Sequence, residues 1–507
     1  MKIFNAIQSK NLDVYTQKEQ HINSLQLMER AAEQCTAWLT KQYANTTPFV
    51  LFCGLGNNGG DGLAIARMLY YLNYNISVFV VKYSTKTSND FDENFTMLIK
   101  LTSIKIIHSE YEIPQIDKKS IVVDAIFGAG LNRPLTGISK TLITHLNNCQ
   151  NIKISIDIPS GLQYENNQHV ETQSILKANY TLTFNYPKLS FLLPQTAHYV
   201  GNWHLLDIQL SSHYQEITPC DFTFVTEKTI HNLLISRDVF SHKGIYGHAE
   251  ILGGSYGKMG AVVLATKAIL KSGAGLATAY TPNCGMQILQ ITVPEAMWTN
   301  NSDSDHFLRG DYISTQKTIG IGPGMGTQTE TAYFLQQVLK NTTKPMVIDA
   351  DALNILAANL DWMSEIPQQS ILTPHPKEFS RLVGNFNNDT DKLDKLKKFA
   401  DSHNCIVVLK GAHTAIAIPN ETIYINSTGN AGMATGGSGD VLTGIITGLL
   451  AQQYSPKNAA ILGVYIHGLS GDLAVKEMGK ASLVASDLVA YLGKAFLHIE
   501  NASHLIS

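Results

Sequence analysis

The chemistry of this chain concentrates at Gly436-Gly437-Ser438-Gly439-Asp440, where a glycine-rich turn runs into the apolar stretch 441–448. Glycines leave backbone N–H groups uncovered by side chains, and a helix starting there adds the positive end of its dipole. Such a place holds an anion, most often phosphate. A carboxylate beside it would weaken pure binding, so Asp440 makes sense where a hydroxyl must lose its proton while a phosphoryl group arrives. The alternative is a glycine-rich helix start in which the aspartate only complements the dipole.

Further segments of the same half carry polar groups at the ends of apolar runs. Gly254 to Ala261 and Ile321 to Gly326 are small-residue turns. Asp349, Asp351 and Asn354 follow one strand, with Asp351 a possible helix cap. His375 and Glu378 follow Thr373-Pro374, and Lys410-Gly411-Ala412-His413-Thr414 follows another strand. A lysine directly after a strand and before glycine often faces phosphate. His375 between two prolines reads by itself as a rigid-turn residue. With no third ligand nearby, it suits substrate better than metal, and Glu378 suits a position near magnesium.

In the first half, Gly54 to Gly59 match G-x-G-x-x-G, but the following strand ends Val80-Val81-Lys82-Tyr83 without the acid that holds a ribose, so an ordinary dinucleotide site is rejected. No Gly-Lys-Ser/Thr follows, so this is not a P-loop either. Asn57, Asn58 and Asp61 among glycines offer hard oxygen ligands for an alkali or alkaline-earth cation, and bare amides for phosphate. Asp124, the loop Gly128 to Pro134, and Asp157 to Gly161 join them at the carboxyl ends of later strands. In a parallel sheet these ends gather along one edge, where ligands bind.

The elements that must position these groups alternate. Apolar runs at 49–53, 76–81, 121–126, 154–158 and 181–184 are separated by helical segments such as 60–73 and 138–148, which predicts a parallel sheet covered on both faces. Residues 211–223 are polar, contain a proline and break the pattern, and the domain boundary is placed there. A second series then predicts strands at 249–252, 276–280, near 319, 346–349, 371–373 and 406–410. It also predicts a helix over 259–271, a hairpin of 415–418 with 422–425, and long helices from Ser438 and Pro456. The expected architecture is α/β with two domains, 1–217 and 218–507. With 507 residues each half can build a full core. A net charge of −3 gives no electrostatic reason to expect nucleic acid. Six well-separated cysteines signal neither a zinc cluster nor a redox pair, and fit a reducing cytoplasm. No apolar run approaches the length that crosses a bilayer, so no membrane partner is expected.

Residues 1–215 resemble the YjeF-type N-terminal domain of NAD(P)H-hydrate epimerases, on Leu27-Met28-Glu29-Arg30-Ala31, Asn57–Gly62, Asp124–Pro134 and Asp157–Gly161. The resemblance implies a Rossmann-like three-layer αβα domain that interconverts the R and S hydrates of NADH or NADPH. It places Asn58, Asp124 and Ser160 at potassium-ligand positions. It puts Asn57, Asn58, Gly59, Gly60 and Asp61, with Gly128, Ala129, Gly130, Leu131, Asn132, Arg133 and Pro134, at substrate-binding positions. Asp157 falls at a substrate-contacting acid–base position. Residues 225–500 resemble the NAD(P)H-hydrate dehydratase branch of the ribokinase-like superfamily, on Asn430–Asp440, Thr373–Pro376 and Lys410-Gly411, with Ser438 where threonine is commoner. That implies a ribokinase-like αβα domain. Ala261, Gly324, His375 and Asp440 would bind the S-hydrate (NADHX or NADPHX). Lys410, Gly411, Ala412, His413, Thr414 and Gly439 would bind the nucleotide, with ADP as co-substrate and magnesium and potassium as ions. Enzymes of this superfamily commonly assemble, so a homo-oligomer is expected. The competing readings are an ordinary small-molecule kinase, which would release a stable phosphorylated product, and a scaffold protein with inert sites.

Overall fold

The computed structural model describes the whole chain except residues 166, 168–171, 301–303, 314–315 and 503–507. It divides into two compact units. One comprises Lys2–Phe222 with Asn388–Thr390, and the other Thr223–Asn387 and Asp391–Ser507, together with Met1. Among the described residues, no helix is long and apolar enough to cross a membrane.

The first unit is built on a seven-stranded sheet. Its strands are β1 (Phe49–Cys53), β2 (Ile76–Val81), β3 (Ile104–Ile107), β4 (Ile121–Ala125), β5 (Lys153–Ile156), β6 (Tyr180–Phe184) and β7 (Asn202–Leu206). Their order is β3-β2-β1-β4-β5-β6-β7, all parallel. β1 and β4 are buried along their whole length, as expected of central strands covered by helices on both faces. The order reverses between β1 and β4, and the loops after these strands open a crevice there. The sequence reading missed β3 and β7. β3 is half exposed, with Lys105 interrupting its isoleucines, and β7 carries Asn202 and His204 in an edge position.

The segment after β1 begins as helix earlier than expected: Asn57–Tyr71 is helical, so Asn57 through Asp61 form its first turns rather than a loop. Gly59 is required there, because a β-carbon on it would lie 1.9 Å from the Gly54 carbonyl oxygen. Ahead of the sheet, Asn5 opens the helix Ala6–Glu19 with a capping box to Gln8, and Asn23 opens Ser24–Gln42 in the same way with Gln26.

In the second unit the strands are β8 (His248–Leu252), β9 (Leu276–Tyr280), β10 (Met297–Thr299), β11 (Thr318–Ile321), β12 (Val347–Ile348), β13 (Ile371–Leu372), β14 (Ile406–Leu409), β15 (Ala415–Ala417) and β16 (Ile423–Ile425). They run in the order β16-β15-β14-β13-β12-β11-β8-β9-β10. From β14 to β10 the pairing is parallel, and β14, β15 and β16 are joined antiparallel, so the expected hairpin is present. Leu252 pairs with Ile321, Ile321 with Ile348, and Ile348 with Leu372. That register sets the loops beginning at Gly253, Gly322, Asp349 and Thr373 side by side along one edge. Helices Met259–Lys271, Ser438–Ala451 and Pro456–Met478 follow the sequence reading closely, and Ala485–Ala502 adds a further helix.

Candidate active sites

In the first unit the crevice is a cavity of about 600 Å³, lined by Asn57, Asn58, Asp61, Asp157 and the loop Gly128–Arg133. An adjoining recess of about 230 Å³ shares Asn57, Asp61, Ala129 and Asp157. The structure thus brings together most of the expected substrate-binding residues. Gly59 and Gly60 are buried behind this wall, and Pro134 lies beyond the lining. Tyr83 and Phe127 pack at 4.6 Å between ring centres, tilted by 34°, on one side.

A polar cluster forms behind the cavity. Register pairs Asp124 with Ser155, and the Ser155 hydroxyl donates to Asp124 Oδ2 at 2.9 Å. Ser160 donates from its backbone N–H to Oδ2 (2.9 Å) and from its hydroxyl to Oδ1 (2.5 Å). Burial pushes the Asp124 carboxyl up, and these bonds with Ser160 and Ser155 oppose the shift. Asn58 donates to the Phe127 carbonyl at 3.0 Å, while its Oδ1 is buried without a partner. An orphaned amide oxygen beside a carboxylate, a hydroxyl and a backbone carbonyl is an all-oxygen donor set, and it fits a hard monovalent cation.

Asp157 follows β5 with φ of 63°, in the left-handed region. Its Oδ1 accepts from the buried Lys188 ammonium at 2.7 Å and from the Thr183 hydroxyl at 3.3 Å. Lys188 also donates to Thr183 at 2.6 Å and lies over the rings of Tyr164 and Tyr186. Sequence reasoning passed over Lys188, although it stands just past a strand end, as Lys410 does. It also passed over Asp13, which sits on a polar helix without clear periodicity and lines both recesses. Burial and the neighbouring Asp157 push the Asp13 carboxyl up to about 7, against the pull of Lys188.

The second unit gathers its groups around Asp440, in the first turn of Ser438–Ala451. Gly437 caps that helix at φ of 88°, a conformation that favours glycine. Lys410 binds Asp349 Oδ1 at 2.8 Å, and Thr443 donates to Asp349 Oδ2 at 2.7 Å. Asp349 stands at the N-cap of helix Ala350–Ala358 but makes no side-chain cap bond, because its carboxylate turns to this pair. Asp351 instead accepts from the Gly326 N–H at 2.8 Å, which corrects its reading as a cap. Burial opposes the charge on Lys410, yet Asp349, Glu378 and Asp440 outweigh it and hold the ammonium above its ordinary range. Desolvation, with Asp349 and Asp351, pushes Asp440 up to about 7, while Lys410 pulls it down. A β-carbon on Gly439 would lie 3.3 Å from the Lys410 ammonium, so glycine keeps that approach open.

The other expected residues fall around this centre. Ala261 and Gly324 are neighbours, since a β-carbon on Gly324 would sit 3.3 Å from that of Ala261. The Gly324 carbonyl is held by the Ser255 hydroxyl at 2.8 Å, and a recess of about 530 Å³ lined by Ser255, Tyr256, Lys258 and His306 opens beside it. In the 410–414 turn, Gly411 and Thr414 are cross-linked by hydrogen bonds, His413 Nδ1 meets the Asn426 carbonyl at 3.0 Å, and Ala412 is exposed. His375 caps helix Pro376–Val383, its Nδ1 accepting from the N–H groups of Lys377 and Glu378. Glu378 completes that capping box, with one oxygen on the His375 N–H at 2.8 Å and the other 3.4 Å from His375 Nε2. The structure therefore assigns Glu378 a capping task rather than a free metal-ligand position. His467, missed in the sequence, is buried within reach of Ser438 (3.3 Å). Burial pulls it down to about 4, so it is a neutral imidazole under the glycine turn.

Residues 24–190 match the family described as YjeF-related protein N-terminus, and residues 249–494 match the family described as NAD(P)H-hydrate dehydratase. The bifunctional NAD(P)H-hydrate repair enzyme Nnr of Moorella thermoacetica is 33% identical, over 99% of this chain and 97% of its own length. This chain belongs to the family of bifunctional NAD(P)H-hydrate repair enzymes. The Escherichia coli K12 member is likewise 33% identical, over 92% of this chain and 88% of its own. Among solved structures, an ADP/ATP-dependent NAD(P)H-hydrate dehydratase from Bacillus subtilis, co-crystallised with ATP and Mg²⁺, is 32% identical. It covers 54% of this chain and 98% of its own, with a TM-score of 0.47.

Proposed function

We propose that residues 1–217 epimerise the R and S hydrates of NADH and NADPH, and that residues 218–507 dehydrate the S hydrate with ADP, releasing AMP and phosphate. The observation that carries the second assignment is Asp440. It is a carboxylate near neutrality, at a glycine-opened helix start, beside an ammonium fixed by Asp349. A base with that affinity for protons can take one from the C6 hydroxyl at physiological pH. The hydroxyl oxygen then attacks the terminal phosphoryl of ADP, and AMP leaves. Lys410 and the bare amides of 436–439 face the charge on the transferring oxygens. The ring nitrogen lone pair expels phosphate from C6, loss of a proton from C5 restores the double bond, and NAD(P)H is regenerated. Ala261, Gly324 and His375 would hold the hydrate, and Lys410–Thr414 with Gly439 the nucleotide.

Magnesium supplies charge neutralisation on the phosphates and would arrive with the nucleotide, since Asp349, Asp351 and Glu378 already have partners. In the first unit Asn58, Asp124, Ser160 and the Phe127 carbonyl would hold potassium, which would fix the loop after β4 beneath the substrate. Asp157 would contact the hydrate as acid–base group. The protein would work as a homo-oligomer in the cytoplasm, on small molecules rather than nucleic acid or membrane.

The test mixes the protein with a hydrate of NADH made by acid or heat, ADP and magnesium, and follows recovery of NADH absorbance and release of phosphate. Asp440→Asn should abolish recovery and leave epimer exchange intact, whereas Asp157→Asn should slow use of the R form only. A stable phosphorylated product would favour an ordinary kinase instead, and either substitution silencing both activities in a folded chain would refute separate sites.

A further inference from the structure

Inverting C6 of the hydrate requires two proton movements at two atoms, the C6 hydroxyl and the ring nitrogen N1. One carboxylate that shuttles its own proton serves both only if it reaches both. The cavity of the first unit holds three carboxyl groups from three elements, Asp13 from helix Ala6–Glu19, Asp61 from helix Asn57–Tyr71 and Asp157 from the end of β5, and Asp90 lines the adjoining recess. Only Asp157 has a buried ammonium against it, Lys188 at 2.7 Å. Resting on the reading of this cavity as the epimerase site, we propose that Asp13 is a second catalytic residue, the proton donor that works alongside Asp157.

The roles follow from the surroundings. The Lys188 ammonium and the Thr183 hydroxyl both donate to Asp157 Oδ1, and the group so held is assigned the part of the base. Asp13 takes no hydrogen bond among the described residues; burial and Asp157 raise it to about 7 against the pull of Lys188, so it holds its proton near neutrality and can part with it. Burial, with Asp157, Asp13 and Asp90, drives the Asp61 carboxyl well above the usual carboxylate range. Lys10 and Arg133 are the other charged groups lining the cavity. Two carboxyls in different surroundings, one bonded to an ammonium and one without a hydrogen bond, divide base from acid.

The step balances with these groups alone. Asp157 takes the proton of the C6 hydroxyl, the C6–O bond becomes a carbonyl, and the C6–N1 bond breaks with its electron pair moving to N1. Asp13 delivers its proton to N1, giving an open-chain aldehyde and amine. The aldehyde turns its other face to N1. N1 attacks and returns its proton to Asp13, and the oxygen regains its proton from Asp157. The opposite epimer results, with both carboxyls restored and no oxidant, reductant or water consumed.

The experiment measures R-to-S exchange on the full-length protein by following each epimer chromatographically, across pH, for wild type, Asp13→Asn, Asp13→Glu and Asp157→Asn. ADP-dependent dehydration of the pure S form is the check that the preparation is folded and the hydrate sound. Wild-type exchange should decline as pH rises through about 7, where Asp13 loses its proton. Asp13→Asn should lose about 10²–10⁴-fold in kcat with KM little changed, and the alkaline decline should vanish. Asp13→Glu should restore part of the rate and the decline. Unchanged kcat and an unchanged alkaline limb in Asp13→Asn, with Asp157→Asn inactive, would overturn the role of Asp13 alone. A rise in KM with kcat and the limb preserved would make Asp13 a binding residue and overturn it equally. If Asp157→Asn exchanged epimers at the wild-type rate, the assignment of the cavity itself would fail.

Discussion

The charge arrangement around Asp440 makes a signed prediction about pH. Burial alone raises this carboxyl, Asp349 and Asp351 raise it further, and Lys410 is the one influence pulling it down, with a net position of about 7. A base works when deprotonated, so dehydration should rise with pH through about 7, with roughly a tenth of the sites competent one unit below. Lys410→Met removes the opposing charge. A unit charge at roughly 5–8 Å, with an effective dielectric of about 20, is worth about 2–3 kcal/mol. That converts to about 1.5–2.5 pH units, and water admitted into the emptied space reduces it towards about 1 unit. The acid limb should therefore move to higher pH. Asp349→Asn removes a like charge instead, and the limb should move to lower pH by a similar amount. The double variant removes both and should return towards the wild-type position. The assay is recovery of NADH absorbance from the S hydrate, with kcat/KM taken from about pH 5.5 to 9, because that ratio reports the groups of the enzyme before the hydrate binds. Lys410→Met will also weaken nucleotide binding, so ADP must be kept saturating. Limbs that moved in the same direction in both single variants, or in neither, would mean that Asp440 is not the titrating base.

Other perturbations read different parts of the molecule. Asp124→Asn removes a buried acceptor of three hydrogen bonds from Ser155 and Ser160. It should cost about 1–3 kcal/mol and abolish any rise in melting temperature on adding potassium, checked by thermal melts in potassium against a large organic cation. Gly59→Ala puts a methyl 1.9 Å from the Gly54 carbonyl, a backbone atom that cannot step aside, and should destabilise the first unit by about 3 kcal/mol or more, read by calorimetry. Lys188→Met strips the buried partner from Asp157 and should cost about 3–5 kcal/mol in urea unfolding, while slowing epimer exchange through an Asp157 no longer held in place.

Much of this architecture is legible in the sequence because central parallel strands are apolar on both faces and end in glycine or a polar residue. Phe49–Cys53 and Ile406–Leu409 are of this kind, and each names both a strand and the chemistry at its end. The edge strands Ile104–Ile107 and Asn202–Leu206 were not legible, because exposure lets polar residues interrupt the pattern. Site residues in strand-end loops could be read for the same reason as the strands. Asp13 and His467 could not: each sits inside a helix, and only the packing of that helix decides that one side chain meets a cavity or a turn. Asp349 was legible as a site residue but its task was not. In sequence the cap is read at Asp351, and only the position of Lys410 across the sheet edge shows where Asp349 turns.

Both units place a lysine after a strand against a carboxylate, and the difference between the two pairs bears on what each site can do. In the first unit the carboxylate paired with Lys188 is Asp157, the group assigned to the substrate. The ammonium bonds directly to it, which suits a hemiaminal proton whose departure is helped by ring opening and by a second acid in the cavity. In the second unit Lys410 spends its closest contact on Asp349, which is anchored by Thr443, and reaches Asp440 only through space. Asp440 is therefore left near neutrality, a stronger base, as the harder task of making an alcohol attack phosphorus requires. Fixing Lys410 through Asp349 also keeps the ammonium from collapsing onto Asp440 before the nucleotide arrives, so the cation stays available to phosphate and the base to the hydroxyl. Moving the lysine's direct contact by one carboxylate converts the same three charges from a clamp on the catalytic group into a site that holds an anion and a base side by side.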